Sequence, residues 1–255
     1  MNAFYDDPFF DYSHYWNKRG YEHLSEVNAL KTLFAQIPYS KKKDLLDIGS
    51  GFGRLTKTYC RMFKRSVLLE PSQKLQKQAK RRLKKYKNLM FKFGFAEKIP
   101  VRDNSFQTVL MIRVAHHIKD LRTVFKEVFR VLDKNGFFIL EFPNKRHFKT
   151  RFYRFLKKES KTDLKSLLPS EARSVKNIRR KTVLFYNYHP LWVEKNLEDC
   201  GFIVLKKLSV SNFRHFTVKK VIPLKIMLFL EKLCQPLLAR FDFGPSIFLL
   251  LKKKP

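Results

Sequence analysis

Apolar residues recur along this chain in two alternating rhythms. Leu45-Leu46-Asp47-Ile48, Ser66–Leu69, Met90–Phe93, Thr108–Ile112 and Phe137–Phe142 are short apolar runs with the length of buried strands. Between them, apolar positions repeat every three or four residues. Ser25 precedes Val27, Leu30, Leu33, Phe34 and Ile37, which predicts a helix capped at Ser25 and ended by Pro38. A second helix is expected after Ile48, through Tyr59 and Phe63. A third covers Gln73–Tyr86, with Leu75, Ala79 and Leu83 on one face. A fourth opens after Asp120 and carries Leu121, Val124, Phe125, Val128 and Leu132. Asn135-Gly136 marks the turn into the fifth strand. Strands alternating with helices imply a parallel sheet covered on both faces.

The alternation stops after Pro143. Residues 144–185 are basic, aromatic and poor in strand signals, and they read as a lid inserted over the face that carries the site. It resumes with a helix Pro190–Cys200, a turn at Gly201, a strand Phe202–Leu208, a helix Leu224–Phe241 and a last strand Ser246–Leu251. In the helix Leu224–Phe241, Met227, Leu230, Leu233, Cys234, Leu237, Leu238 and Phe241 share one broad face, with Lys225, Glu231, Lys232, Gln235 and Arg240 opposite. The apolar face is expected to be buried in protein, with a lipid-facing patch as the alternative.

Composition narrows the class. The 255 residues hold 54 Lys+Arg against 22 Asp+Glu, a net charge of +32, yet 44% are hydrophobic, enough for a packed core. Cys60, Cys200 and Cys234 are too scattered for a disulfide framework or a zinc site, so no metal is expected. The opening residues lack the basic start and apolar run of a secretory signal. Pro223–Phe241 holds four charges, too many for a bilayer span. A cytoplasmic protein is expected, with peripheral contact at the inner membrane face as an extension. The positive excess concentrates in Lys74–Lys87 and Lys145–Lys181. A solvated lysine-rich surface, phosphate contacts on nucleic acid and attraction to an anionic membrane all fit it.

The chemistry-bearing segment is Leu45-Leu-Asp-Ile-Gly-Ser-Gly-Phe-Gly-Arg-Leu55. Its glycines at 49, 51 and 53 follow a strand and open a helix, so a ligand can lie against the backbone. The dinucleotide fingerprint GxGxxG fails in both frames, since its third glycine would fall at Arg54 or Thr56. A phosphate-binding P-loop fails too, for lack of Gly-Lys-Ser/Thr. Instead Asp47 precedes the loop, suited to a cation such as an α-ammonium. Glu70 ends the next strand, about 20 residues on, where a carboxylate accepts ribose hydroxyls.

With these residues the chain resembles the class I S-adenosylmethionine-dependent methyltransferases, in the type 11 branch. The loop LLDIGSGFGRL, Glu70, the segment FGFAEKIP, Asp103-Asn-Ser-Phe-Gln107 with VLMIRVAHHIKD, and LRTVFKEVFRVLDKNGFFILEFPN match in order. The resemblance is strong over residues 40–143 and loose over 186–253. It implies an α/β fold: a Rossmann-like, doubly wound, seven-stranded, mostly parallel sheet with the last strand antiparallel, plus an N-terminal helical lead-in and the lid. Residues 1–255 form one domain in this reading, divided into a cap (1–40), the cofactor-binding core (41–143), the lid (144–185) and the rest of the sheet (186–255). The implied cofactor is S-adenosylmethionine, held by Asp47, Gly49, Ser50, Gly51, Gly53, Glu70, Pro71, Ala96, Glu97 and Arg113. Phe95 stands where the family often has an acid, so adenine is expected to be stacked or held by backbone.

Methyl transfer from a sulfonium is an in-line displacement governed by positioning. A base is needed only where the acceptor loses a proton. His117 and His116, after the fourth strand, are the candidates, against the alternative that one packs and the other caps a loop. His189 is a weaker one. Arg113 either borders the methionine moiety or pairs with a surface acid. Tyr5, Tyr12, Trp16 and Arg19 either close over the cofactor or anchor the first helix by aromatic packing. The expected acceptor is a small molecule, lipid or glycan-linked intermediate, methylated on O or N rather than C, with no obligate protein partner. The alternatives are an RNA methyltransferase, which lacks support from an Asn/Asp-Pro-Pro-Tyr motif, and a cofactor-binding protein without turnover.

Overall fold

The computed structural model describes residues 4–6, 11–156, 166–173 and 184–255. The strands are β1 (Asp44–Ile48), β2 (Arg65–Leu69), β3 (Leu89–Lys92), β4 (Phe106–Met111), β5 (Leu132–Pro143), β6 (Ser170–Glu171), β7 (Tyr186–Asn187), β8 (Phe202–Val210) and β9 (Ser246–Lys253). Seven of them form one sheet in the order β3-β2-β1-β4-β5-β9-β8. Pairings from β3 to β5 are parallel, and β9 is antiparallel to both β5 and β8. β9 is therefore the only strand of the seven to run against the rest, as expected.

Successive residues of each inner strand feed opposite faces. Leu46, Val109, Met111, Leu249 and Leu251 enter the core cluster built on the helices Leu121–Val131 and Pro190–Asp199. Leu45, Leu110, Ile112, Phe248 and Leu250 enter the cluster on the other face, with Leu30, Leu33 and Phe34 of the helix Gly20–Phe34. Burial on both faces is why these strands read as continuous apolar runs. Strand order reverses between β1 and β4, so the loops leaving their carboxyl ends diverge and open a crevice there.

Several boundaries differ from the sequence reading. The first long helix begins at Gly20, and Ser25 lies buried inside it rather than capping it. Tyr21 explains the extension: its side chain is buried and its hydroxyl reaches Glu231 at 2.6 Å, so tertiary packing recruits an extra turn. The helix after the glycine loop spans only Thr56–Tyr59. Beyond it, the Asn88 side-chain amide donates to the Cys60 and Phe63 carbonyls at 2.7 and 3.0 Å and draws them out of helical pairing. The basic helix stops at Arg82, because Leu83 leaves helical geometry (φ −109°, ψ 10°). β5 starts at Leu132, before the expected turn. A register shift, with Asn135 at φ +58°, absorbs the Asn135-Gly136 signal inside the strand. Of the expected lid, the structure describes a helix Phe148–Leu156 and the β6–β7 pair. Residues 157–165 and 174–183 of it, and 1–3 and 7–10 of the cap, lie outside the described residues.

The helix Leu224–Ala239 overturns its sequence reading. Its buried residues are Met227, Glu231, Gln235 and Ala239, while Ile226, Phe229, Leu233 and Leu237 are each more than half exposed. The cause is Glu231, fully buried, which accepts from the Tyr21 hydroxyl, the Ser211 amide at 2.7 Å and the Asn212 amide at 3.1 Å. With the Asn212 and Gln235 side-chain amides also donating to it, a carboxylate that satisfies five donors fixes the inward stripe and turns the leucines outward. Glu231→Ala leaves these donors buried and unpaired, and should cost about 1–3 kcal/mol for each donor that finds no other partner, read in urea unfolding. A loss under about 1 kcal/mol would mean that the helix is oriented by apolar contacts instead.

Candidate active site

The glycine loop leaves β1 at the switch point, and its backbone is bent by three left-handed glycines, Gly49 (φ +66°), Gly51 (φ +55°) and Gly53 (φ +74°). At Gly51 the missing side chain leaves the cleft open. A Cβ there would point at Tyr12, 4.0 Å away, into the cleft itself. The Gly51 amide donates to Glu70 at 2.8 Å, and the same carboxylate takes the Ser72 amide at 2.8 Å. Glu70 thus joins the loop after β1 to the end of β2. Gly53 has another role: a Cβ on it would strike Leu83, so it permits helix packing beneath the loop.

A cleft of about 420 Å³ lies over these ends. Asp47, Gly49, Ser50, Gly51, Glu70, Pro71, Ala96, Glu97, Arg113 and His117 all line it. Gly53 and His116, expected with them, are not among its walls. Asp47 and Glu70 are 5% and 4% exposed. Burial pushes the Asp47 carboxyl up to about 7 against a 2.5 Å hydrogen bond from the Tyr59 hydroxyl. Burial lifts Glu70 to about 7 as well, opposed by its two amide donors. Phe95 and Ala96 form an apolar wall, and Glu97 stands exposed at the rim.

His117 enters from the loop after β4. Its Nδ1 donates to the Leu184 carbonyl at 2.8 Å, which leaves Nε2 as the acceptor of the Tyr5 hydroxyl at 2.7 Å. Burial lowers its pKa below the usual histidine range, so the ring is neutral at pH 7. His116 turns the other way, 7% exposed, with its ring against His117 and Phe185 at centroid distances of 3.8 and 4.7 Å. His189 caps a helix: its Nδ1 accepts the Leu191 amide at 3.2 Å.

Arg113 faces the cleft and also pairs with an acid, though not a surface one. It lines the cleft, and the acid it pairs with, Glu26 at 3.5 Å, is buried rather than on the surface. Its φ of +63° directs its amide to Glu141 at 2.8 Å. Tyr5 and Tyr12 cover the cleft, whereas Trp16 packs on Phe52 and Leu75. Arg19 lies over the Tyr15 ring at 4.0 Å, outside the cleft walls. Asp6 fastens this covering segment, taking the Ser72 hydroxyl at 2.7 Å and the Lys74 amide at 3.1 Å.

Sequence reasoning missed Glu26, Arg54, Tyr59, Glu141 and Leu184. Glu26 left a signal, because it falls on the buried stripe with Leu30 and Leu33, where an acid implies a partner. Leu184 left none, since only its carbonyl is used.

A methyltransferase-domain family profile matches residues 46–140. The chain is 25% identical over 161 residues to a demethylmenaquinone methyltransferase of Tropheryma whipplei, covering 63% of this chain and 66% of that protein. It is 32% identical over 106 residues to a ubiquinone biosynthesis O-methyltransferase of Pelagibacter ubique, covering 41% and 44%. The chain thus spans less than two thirds of the length of these curated relatives. A SAM-dependent methyltransferase of known structure from Thermotoga maritima superposes with a TM-score of 0.64 at 19% identity, covering 98% of this chain and 99% of that one, which shows the shared fold. With the glycine loop and the strand order, residues 46–140 carry a segment similar to the methyltransferase domain of the class I, type 11 S-adenosylmethionine-dependent methyltransferases.

Proposed function

We propose that this protein transfers a methyl group from S-adenosylmethionine to an amphiphilic small-molecule acceptor. The observation that carries the reading is Glu70, buried, bonded to the Gly51 amide and desolvated at the mouth of the β1 loop. The residues fit the cofactor. Gly51 leaves the loop open on its cleft side, and two buried carboxylates stand where acceptors are wanted. S-adenosylmethionine supplies, when bound, an electrophilic methyl on a sulfonium. Glu70 accepts the ribose hydroxyls with its remaining lone pairs, and Asp47 holds the α-ammonium. The Gly49–Gly53 backbone and Ser50 border the methionine part. Pro71, Phe95 and Ala96 take the adenine between apolar surfaces, with Glu97 at the rim, and Arg113 closes the floor. Here the chain acts as one methyltransferase domain, and Leu184, at the end of the expected lid, reaches the cleft.

His117 Nε2 is the base for an oxygen acceptor, reached through the Tyr5 hydroxyl. Its neutral ring carries the lone pair this step needs, and Leu184 holds the tautomer. Relatives named for menaquinone and ubiquinone biosynthesis support an acceptor with a polar ring and an apolar tail. No helix among the described residues is long and apolar enough to cross a membrane. The outward leucines of the helix Leu224–Ala239, with the +32 charge, support peripheral contact of a cytoplasmic protein with an anionic membrane.

Calorimetry with S-adenosylmethionine tests the cofactor site. Glu70→Ala should weaken binding by about 1.5–3 kcal/mol, and Gly51→Val should abolish it by filling the cleft. An unchanged affinity in both variants would overturn the assignment. The ribose needs Glu70 ionised, and its carboxyl stands near 7 before binding. Asp47 stands near 7 as well, so affinity should rise from pH 6 to pH 8 by about tenfold for each of the two carboxyls, with the Glu70 share of the rise lost in Glu70→Gln. Affinity that falls over this range would reverse the ionisation argument.

For the base, His117→Ala should lower turnover by ~10²–10⁴ with cofactor affinity preserved. Tyr5→Phe should act in the same direction. Full turnover in both variants would leave positioning alone as the source of rate.

For membrane contact, sedimentation with vesicles should show binding to anionic but not neutral lipid, fading as salt is added. Leu233→Glu with Leu237→Glu should abolish it. Equal recovery in the supernatant with both lipids at low salt would remove the membrane from this reading.

A further inference from the structure

A second cleft of about 950 Å³ opens at the same edge of the sheet, where β8 ends and β9 begins. The segment Tyr12–Arg19 divides it from the first. Tyr12 lines one cleft and Arg19 the other, linked through Tyr15, which stacks on Tyr12 at 5.9 Å and lies under Arg19.

Its walls are aromatic and turned to solvent. Phe148, Phe152 and Phe216 are 46%, 47% and 67% exposed. Phe148 stacks on Phe152 at 5.7 Å and on Phe243 at 4.8 Å, so the rings form a continuous platform. Apolar surface held open in this way is stabilised when something covers it.

The rim is cationic. Lys18, Arg19, Lys149, Arg214 and Lys219 face the cleft, and Glu22 is the only acid among its walls. Lys219 already holds Glu22 at 2.5 Å. Arg214 and Lys149 have no ion pair with a carboxylate among the described residues. The positive field is felt inside: burial first, then Arg214, Lys149 and Arg151, bring the His147 pKa down to about 4. Uncompensated cations beside exposed rings match a ligand with an anionic head and an apolar body. Guanidinium and ammonium together favour phosphate, which offers several acceptor oxygens to converging donors.

We propose that this cleft binds a phosphate-bearing amphiphile, its apolar part on Phe148, Phe152 and Phe216 and its phosphate between Arg214 and Lys149. The inference deepens the acceptor class of the proposed methyl transfer and rests on that reading for the reaction, while binding stands apart from it. It differs from membrane contact in scale, since the ligand is a single molecule in a cleft walled by two helices and the β8–β9 turns.

Calorimetry with dodecyl phosphate, below its micelle concentration, tests it on the full chain. Saturable binding is expected. Arg214→Ala, at an exposed position, should weaken it at least tenfold, and Phe152→Ala severalfold. Inorganic phosphate should bind at least a hundredfold more weakly, and dodecyltrimethylammonium not at all. Glu70→Ala should bind dodecyl phosphate like wild type while binding S-adenosylmethionine more weakly, so failure of one site does not imply failure of the other. The proposal is overturned by absence of saturable binding, or by equal affinity for dodecyl maltoside. It is equally overturned if inorganic phosphate binds as tightly, or if Arg214→Ala and Lys149→Ala together leave affinity unchanged. Thermal melts of each variant confirm that the fold persists.

Discussion

Glu26 is 2% exposed on its side chain and holds two guanidinium groups that arrive from opposite sides of the switch point. Arg54 follows the last glycine of the β1 loop and meets it at 2.6 Å, and Arg113 follows β4 and meets it at 3.5 Å. Between them lies the Trp16 ring, 3.5 Å below Arg54 and 5.4 Å from Arg113. One carboxylate therefore sets the distance between the two loops and seats the covering segment on both. Such a cluster contributes little net stability, because desolvation opposes the Coulomb gain. Removing one member is far more costly than the cluster is worth, since it strands the others. Buried Glu141, bonded to the Arg113 amide and the Ser246 hydroxyl, extends the arrangement to β5 and β9. The cleft is thus a cavity whose floor is held by fixed charge.

That rigidity explains the electrostatics above it. Asp47 and Glu70 are carboxylates in an apolar enclosure with Arg54 already committed to Glu26. Neither has a cation of its own at ion-pair distance among the described residues, so each is costly to ionise in the ligand-free protein. The cationic, hydroxyl-rich ligand proposed for this cleft would relieve that cost, so the desolvated carboxylates would then be preorganised for it.

The alternation of strand and helix was legible because each inner strand buries both faces and each flanking helix buries one. The glycine loop and Glu70 were legible because three left-handed glycines and a strand-end acid that takes the Gly51 amide leave a fixed spacing in the sequence. Three things escaped. Helix ends moved where side chains outbid the local signals, as Tyr21 did at Gly20 and Asn88 did at Phe63. The outward face of the helix Leu224–Ala239 escaped because periodicity locates a stripe but cannot say which stripe is inside when the buried one carries Glu231 and Gln235. His117 could be nominated by position after β4, yet its distinction from His116 depends on Leu184 and Tyr5, at least 67 residues away in sequence.

β9 lies between β5 and β8 in the sheet but follows both in the chain. Neither pairing can form until residues 246–253 have left the ribosome. The parallel half, from β3 to β5, has local βα connections and can assemble before then, whereas β8 must wait as an unpaired strand. Its exposed Ile203, Val204 and Leu205 make it adhesive during that interval, and Lys206 and Lys207 directly after them act as gatekeepers. Synthesis thus has two stages: a self-sufficient nucleus, and a late closing strand that removes the aggregation hazard by sealing one edge of β8.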